Sequence, residues 1–101
     1  MNYNPLVSII CLCYNHEKFV PLALQSVIDQ TYPNIELIIV DDCSNDGSST
    51  VIKEWLRQHP EIVFIENTTN KGNTKSFNAA FAASKGDYII DLAADDILNT
   101  N

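Results

Sequence analysis

Apolar residues in this chain come in short blocks, separated by segments whose apolar positions recur with a helical period. Leu6-Val7-Ser8-Ile9-Ile10-Cys11-Leu12-Cys13 is a compact, β-branched run that reads as a buried strand. From Phe19 to Gln30 the apolar positions are Val20, Leu24, Val27 and Ile28, the i, i+4, i+7, i+8 spacing of one helix face. Pro21 falls in the first turn, where its missing N–H is harmless, and Tyr32-Pro33-Asn34 turns the chain out of the helix. Ile35 to Val40 is a second buried strand, which runs into the turn-rich segment Asp41 to Ser48. A second helix is predicted over Ser49 to Gln58, with Val51, Ile52, Trp55 and Leu56 on one side and Pro60 closing it. Ile62 to Ile65 makes a third strand, followed by a polar loop from Glu66 to Gly72. A third helix runs from about Thr74 to Ser84, with Phe77, Ala80, Phe81 and Ser84 inward and Lys85-Gly86 as its stop. Tyr88-Ile89-Ile90 with Leu92 forms a fourth strand, and Asp95-Asp96 lies just beyond it.

Strands separated by helices must run parallel, and strands this apolar are covered on both faces. With right-handed crossovers the pattern predicts half of a doubly wound sheet in the order 3-2-1-4. The fold class is therefore α/β, a Rossmann-like and mostly parallel four-stranded sheet flanked by helices. Its 101 residues make one domain at most.

Composition narrows the partners. The apolar fraction of 46% with 19% charged suits a globular protein. Leu6 to Tyr14 is too short to span a bilayer, and Met1-Asn2-Tyr3-Asn4-Pro5 lacks the basic start of a signal peptide, so a cytoplasmic location is expected. A net charge of −7 weighs against nucleic acid or an anionic membrane as the main partner. Cys11, Cys13 and Cys43 are odd in number, which argues against a disulfide framework, and they read as small buried hydrophobes.

Ligands of open parallel sheets bind beyond the carboxyl ends of the strands, and the polar clusters of this chain fall there. Tyr14-Asn15-His16-Glu17 follows strand one, Asp41-Asp42 strand two, Asn67 to Gly72 strand three, and Asp95-Asp96 strand four. Two acidic pairs on one rim suit a hard divalent cation, Mg²⁺ or Mn²⁺, completed by substrate phosphates. Asp95-Asp96 also reads as a solvated loop or a helix cap, and Asp41-Asp42 as turn chemistry. The Tyr14 ring could stack on a flat heterocycle or be a half-buried core aromatic. Lys71 and Lys75 flank the start of helix three, whose dipole favours an anion, or are solvated. His16 could orient a substrate group or simply occupy the loop; His59 faces away from the rim and carries no assigned role.

The stretch VSIICLCYNHEKFVPLALQSVIDQTYPNIELIIVDDCSNDGS resembles the opening of the family 2 glycosyltransferases of the GT-A fold, and NKGNTKSFNAAFAASKGDYIIDLAADD resembles the same family's run up to its metal motif. The likeness extends from Val7 to Asp96 in order and spacing. It implies that residues 1–101 are the donor-binding part of an inverting enzyme that moves a sugar from a nucleotide-diphosphate sugar, usually a UDP-sugar, to an acceptor hydroxyl. By this resemblance Leu12 borders the nucleobase, Tyr14 stacks on it and Asp41 reads its imide N–H. Glu17, Asn70, Lys71 and Lys75 belong to the nucleotide pocket, Asp95 contacts ribose or metal, and Asp96 is the metal ligand proper. The acceptor, a saccharide or a lipid-linked one, is not implied in detail, and no residue is singled out as the catalytic base.

Three departures from the family pattern stand out: Leu12 and Cys13 where many members have Pro and Thr, Ala93 where many have a further Asp, and an end five residues after Asp96. The chain alone is expected to bind nucleotide without transferring sugar. A non-catalytic nucleotide-binding or interaction domain on the same fold is the alternative. A phospho-acceptor signalling domain would need an acidic pair after strand one, where this chain has Tyr14-Asn15.

Overall fold

The computed structural model describes residues 5–30 and 33–93. Four strands, β1 (Val7–Cys13), β2 (Ile35–Asp41), β3 (Val63–Glu66) and β4 (Tyr88–Ala93), alternate with three helices, α1 (Val20–Ile28), α2 (Ser48–Leu56) and α3 (Gly72–Ala83). All pairings are parallel, as the alternation of strands and helices requires, and the order is β3-β2-β1-β4, the one expected.

The pleat sorts side chains between two layers. Ile9, Cys11 and Cys13 of β1 with Leu37 and Ile39 of β2 face one way, against Val20, Leu24 and Val27 of α1 and Ile52 of α2. Ile10, Ile38 and Val40 face the other way, with Ala80 of α3, and Leu12, Phe77 and Ile89 pack around them. Two helices thus cover one face and α3 alone covers the other. At β4, Leu92 points to the two-helix layer and Ile89 to the α3 layer.

Two expectations need correction. The inward side of α3 is Ser76 and Ala80, with Phe77 beside them, while Phe81 is 53% exposed. At about 100° per residue, Ser76 and Ala80 define an inward direction from which Phe81 is rotated by about 120°; its ring reaches only Phe77, at 6.3 Å. The helix also begins at Gly72 rather than Thr74, because a carboxylate just past the end of β2 meets its first N–H groups. His59, beyond α2, stacks on Trp55 with ring centroids 4.2 Å apart, which accounts for it structurally.

At the amino ends of the strands the chain passes closely over itself. The Ser8 hydroxyl donates to Glu36 (2.6 Å) and accepts from the Gly86 N–H (2.9 Å), while Lys85 N–H donates to the same Glu36 oxygen (2.9 Å). A Cβ at Gly86 would lie 2.7 Å from Ser8 N and closer still to Ser8 Oγ, so only glycine fits there.

Candidate functional site

The carboxyl ends of β1 and β2 lie side by side, with Cys13 paired to Asp41, and the loops that leave them are fastened together. Asn15 takes the left-handed conformation (φ 57), which Asn tolerates better than most residues. Its Oδ1 accepts the N–H of Asn45 (2.7 Å) and of Asp46 (3.4 Å). In return Asn15 N–H donates to Ser44 Oγ and His16 N–H to Ser48 Oγ, both at 3.0 Å, and Glu17 N–H to Asp46 Oδ2 at 3.2 Å. Asp46 Oδ1 takes the N–H (2.9 Å) and hydroxyl (2.5 Å) of Ser48, where α2 begins. Burial alone would raise the Asp46 carboxyl, but the Ser48 and Glu17 donors hold it below its ordinary value. Most of the polar sequence around Asn15 and Ser44 to Ser48 is therefore spent on joining two loops.

The adjacent carboxylates Asp41 and Asp42 part company. Asp41 is the last residue of β2 and 1% exposed; its oxygens accept Ser44 Oγ (2.6 Å) and Ser44 N–H (3.1 Å). Asp42 turns to the other side, 5% exposed. Its Oδ1 accepts Lys71 N–H (2.7 Å) and the Asn67 amide (3.0 Å), and its Oδ2 accepts Gly72 N–H (2.9 Å). Asn67 in turn donates to Ser76 Oγ at 3.0 Å. Burial would raise the Asp42 carboxyl, but these donors prevail and hold it below the usual range. Asp42 thus supplies the negative charge that the start of α3 favours, and that helix end is already satisfied from within.

Beside Asp42 opens a cavity of about 370 Å³, set on the α3 face of the sheet and at its carboxyl edge. Leu12, Cys13, Tyr14 and His16 line it from β1 and its exit loop; Asn73, Thr74, Ser76, Phe77 and Asn78 line it from the first turns of α3. Asp42 and, from β4, Asp91 complete the wall. Tyr14 is 38% exposed, and its hydroxyl accepts a hydrogen bond of 3.4 Å from Asn45. An apolar floor of Leu12 and Phe77, an aromatic ring at the mouth and carboxylate acceptors in the wall suit a flat, polar heterocycle bearing N–H donors.

Of the residues singled out from sequence, Leu12, Tyr14 and His16 stand on this wall. Asp41 does not, because its carboxylate is turned to Ser44. Glu17 lines a separate cavity of about 210 Å³ with Asn15, Lys18, Phe19 and Asp46, and its carboxylate packs over Gly47. Asn70 Oδ1 accepts Gly72 N–H (3.2 Å), and Lys71 contributes its backbone N–H to Asp42, so this loop supports the wall from behind. Lys75 is exposed on α3, away from the lining. Asp95 and Asp96 lie outside the described residues. Asp42, Asp91 and the α3 residues were not anticipated as lining. Asp91 did leave a trace: it interrupts the fourth apolar run with an acid between Ile90 and Leu92.

Among the described residues no three His, Cys, Asp or Glu side chains gather to hold a metal ion. Cys11 is buried and its thiol is pushed up to about 12 by burial, with Cys13 and Asp91 adding to it. Burial also raises Cys13. No helix among the described residues is long and apolar enough to cross a membrane.

Comparison with known proteins gives this geometry a context. The sequence profile of glycosyl transferase family 2 matches residues 8–101. A Bacillus subtilis protein, TuaG, provisionally described as a teichuronic acid biosynthesis glycosyltransferase, is 35% identical over 97 residues, spanning 94% of this chain and 38% of its own. The mannosyltransferase PcManGT of Pyrobaculum calidifontis, solved with GDP-Man and Mn²⁺, superposes with a TM-score of 0.86 at 27% identity, over 94% of this chain and 29% of that one. TarS 1-349 of S. aureus in complex with UDP-GlcNAc gives 0.84 at 28% identity, over 94% and 28%. The chain thus spans about a third of the length of the proteins it matches.

Proposed function

The chain belongs to glycosyl transferase family 2, and on that premise we propose that it forms the donor-binding part of an inverting, metal-assisted glycosyltransferase using a nucleotide-diphosphate sugar. The observation that carries the proposal is the cavity at the carboxyl edge of β1, where Tyr14 stands at the mouth, Leu12 and Phe77 form the floor and Asp42 the wall. The base stacks on Tyr14 and lies over Leu12. Asp42 receives a base N–H on its carboxylate, whose Oδ2 also accepts Gly72 N–H. Asp42 takes over the reading role that the resemblance gave to Asp41, because of these two neighbours it is Asp42 that lines the cavity.

UDP is the nucleotide we favour, in line with the UDP-GlcNAc held by TarS; the GDP-Man held by the Pyrobaculum enzyme keeps guanine in view. The sugar passes to an acceptor hydroxyl on a saccharide or a lipid-linked saccharide. A divalent metal, Mn or Mg, belongs to the proposal through Asp95 and Asp96 and through the Mn²⁺ bound by the Pyrobaculum enzyme. Among the described residues no three His, Cys, Asp or Glu side chains gather to hold it. Three cysteines without disulfides suit a reducing compartment, and we place the reaction on the cytoplasmic side.

Within these residues the role stops at holding the donor. A carboxylate held below its ordinary pKa by three N–H donors is a poor proton acceptor, so Asp42 positions and does not act as the base. By the same proposal the 101 residues alone bind donor and transfer no sugar.

Calorimetric titration of the chain with UDP, with and without Mn²⁺, tests the reading. Saturable binding that tightens with Mn²⁺ and weakens roughly tenfold in Tyr14→Ala is expected, since base stacking on an aromatic contributes about 1–3 kcal/mol. Absence of binding, or a Tyr14→Ala variant that binds as well as the parent, would overturn it.

A further inference from the structure

Asp91 is the carboxylate of the cavity wall that no protein donor engages among the described residues. It occupies β4 opposite Ile10 of β1. By the alternation of the strand it belongs with Ile89, on the α3 face of the sheet, where the neighbouring inward positions are Ile10, Leu12, Ile38, Val40 and Phe77. Its side chain is exposed there, so the charge is solvated and within reach of a molecule in the cavity. Among the described residues its side chain has no hydrogen-bond or ion-pair partner; the one interaction it makes is electrostatic and unfavourable, helping to push the Cys11 thiol up. The contrast with Asp42, the other carboxylate in the wall, is sharp. Three N–H donors converge on Asp42, whereas both oxygens of Asp91 remain available to whatever fills the cavity.

A carboxylate with two open oxygens accepts two adjacent donors at once. A nucleotide offers such a pair in two places. The Watson–Crick edge of guanine presents N1–H beside N2–H₂, and the ribose presents its 2′ and 3′ hydroxyls. Uracil has a single imide N–H flanked by two carbonyls, which gives a carboxylate only one partner.

We propose that Asp91 is a specificity-determining residue of the donor cavity, receiving a pair of adjacent N–H or O–H donors from the nucleotide. The inference rests on the reading of this cavity as a nucleotide site. It adds a second carboxylate contact, set deeper along the sheet than Asp42, which separates nucleotides by the donor pairs they present. Electrostatics gives the test its sign. A carboxylate with no such role repels a diphosphate, so removing its charge would leave affinity unchanged or improve it. A carboxylate that receives two donors loses affinity when replaced.

The experiment compares the full chain with Asp91→Asn and Asp91→Ala, titrated with UDP, GDP and 2′-deoxy-GDP at one fixed Mn²⁺ concentration, with circular dichroism and thermal melts as the folding control. If the guanine edge is read, GDP and 2′-deoxy-GDP weaken roughly tenfold to a hundredfold in both variants while UDP holds. If the ribose diol is read, GDP and UDP weaken together and 2′-deoxy-GDP is insensitive to the substitution. Unchanged or tighter binding of all three overturns the inference and leaves the nucleotide site standing. An equal loss for all three in folded variants also overturns it, since a general effect on diphosphate or metal is then at work. A parent chain that binds none of the three removes the inference together with the reading on which it rests.

Discussion

Replacing Asp42 removes the one group that ties the exit of β2 to the start of α3. Its two oxygens accept Lys71 N–H, Gly72 N–H and the Asn67 amide at 2.7, 2.9 and 3.0 Å from a position 5% exposed. A hydrogen bond to a charged acceptor contributes about 1.5–3 kcal/mol, and a buried donor left without a partner costs about 1–3 kcal/mol. The full sum overstates the loss, because Lys71 is exposed and Gly72 half-buried, so water can reach those two freed amides. About 2–4 kcal/mol is expected for Asp42→Ala, a large part of the total stability of about 5–15 kcal/mol usual for a domain. Asp42→Asn keeps the shape and one acceptor, and loses about half as much.

Urea unfolding followed by the fluorescence of Trp55, the single tryptophan, measures this as a fall in midpoint at constant m-value. The pH dependence supplies a second check. The folded-state pKa of Asp42 lies below the ordinary 3.8. Its contribution is therefore complete above that value and is lost as pH falls through the folded pKa. The gap in stability between the parent and Asp42→Asn should be wide at pH 7 and narrower at pH 3. A loss under about 0.5 kcal/mol in Asp42→Ala, or an equal gap at both pH values, would refute the account of Asp42 as the anchor of α3.

Two further outcomes follow from the packing. Gly86→Ala forces a methyl to within 2.7 Å of Ser8 N and 3.0 Å of Leu6 O, and strain of this kind costs about 1–3 kcal/mol. The melting temperature should drop by about 10 °C, and an unchanged melt would show that the close approach of these segments is not tight. In native protein an aromatic disulfide reagent should titrate Cys43 rapidly, while Cys11 and Cys13, both buried and with raised thiol pKa, react only on unfolding. Three fast equivalents under native conditions would contradict the placement of β1 at the centre of the sheet.

The layout of this fold was legible because its signals were local. Apolar β-branched runs alternating with 3.6-period segments point to a parallel sheet covered on both faces, and the order β3-β2-β1-β4 is one that right-handed crossovers allow. The place of Tyr14 beside the cavity was legible by the same logic, since strand exits in such a sheet face the ligand, whereas Leu12 came from the family resemblance alone. The choice between Asp41 and Asp42 was not. Consecutive residues of an extended chain point to opposite sides, so it hinged on whether the strand stopped at Val40 or ran on to Asp41, a difference of one residue. The part of the wall built by α3 was hidden for a related reason. Its first turn depends on Asp42, which lies 30 residues away from Gly72, and no local pattern around Thr74 carries that information. Phe81 was misplaced because an i, i+4 relation to Phe77 outweighed the narrower stripe that Ser76 and Ala80 set against the sheet.

The placement of β1 has a bearing on how the molecule comes into being. β1 leaves the ribosome before β2 and β4, yet it lies between them, and its register with β4 pairs Val7 with Tyr88 and Leu12 with Ala93. A nascent chain can therefore close β1 against β2 early, while the other edge of β1 waits for some eighty residues of synthesis. During that interval Ile9, Ile10 and Cys11, all buried in the finished fold, lie on a strand with an open side, the condition under which non-native pairing competes. Pairings this distant in sequence slow folding. The β1–β4 seam is the point at which assembly of this half-sheet becomes cooperative, and the contact of Gly86 with Ser8 forms only as that seam closes.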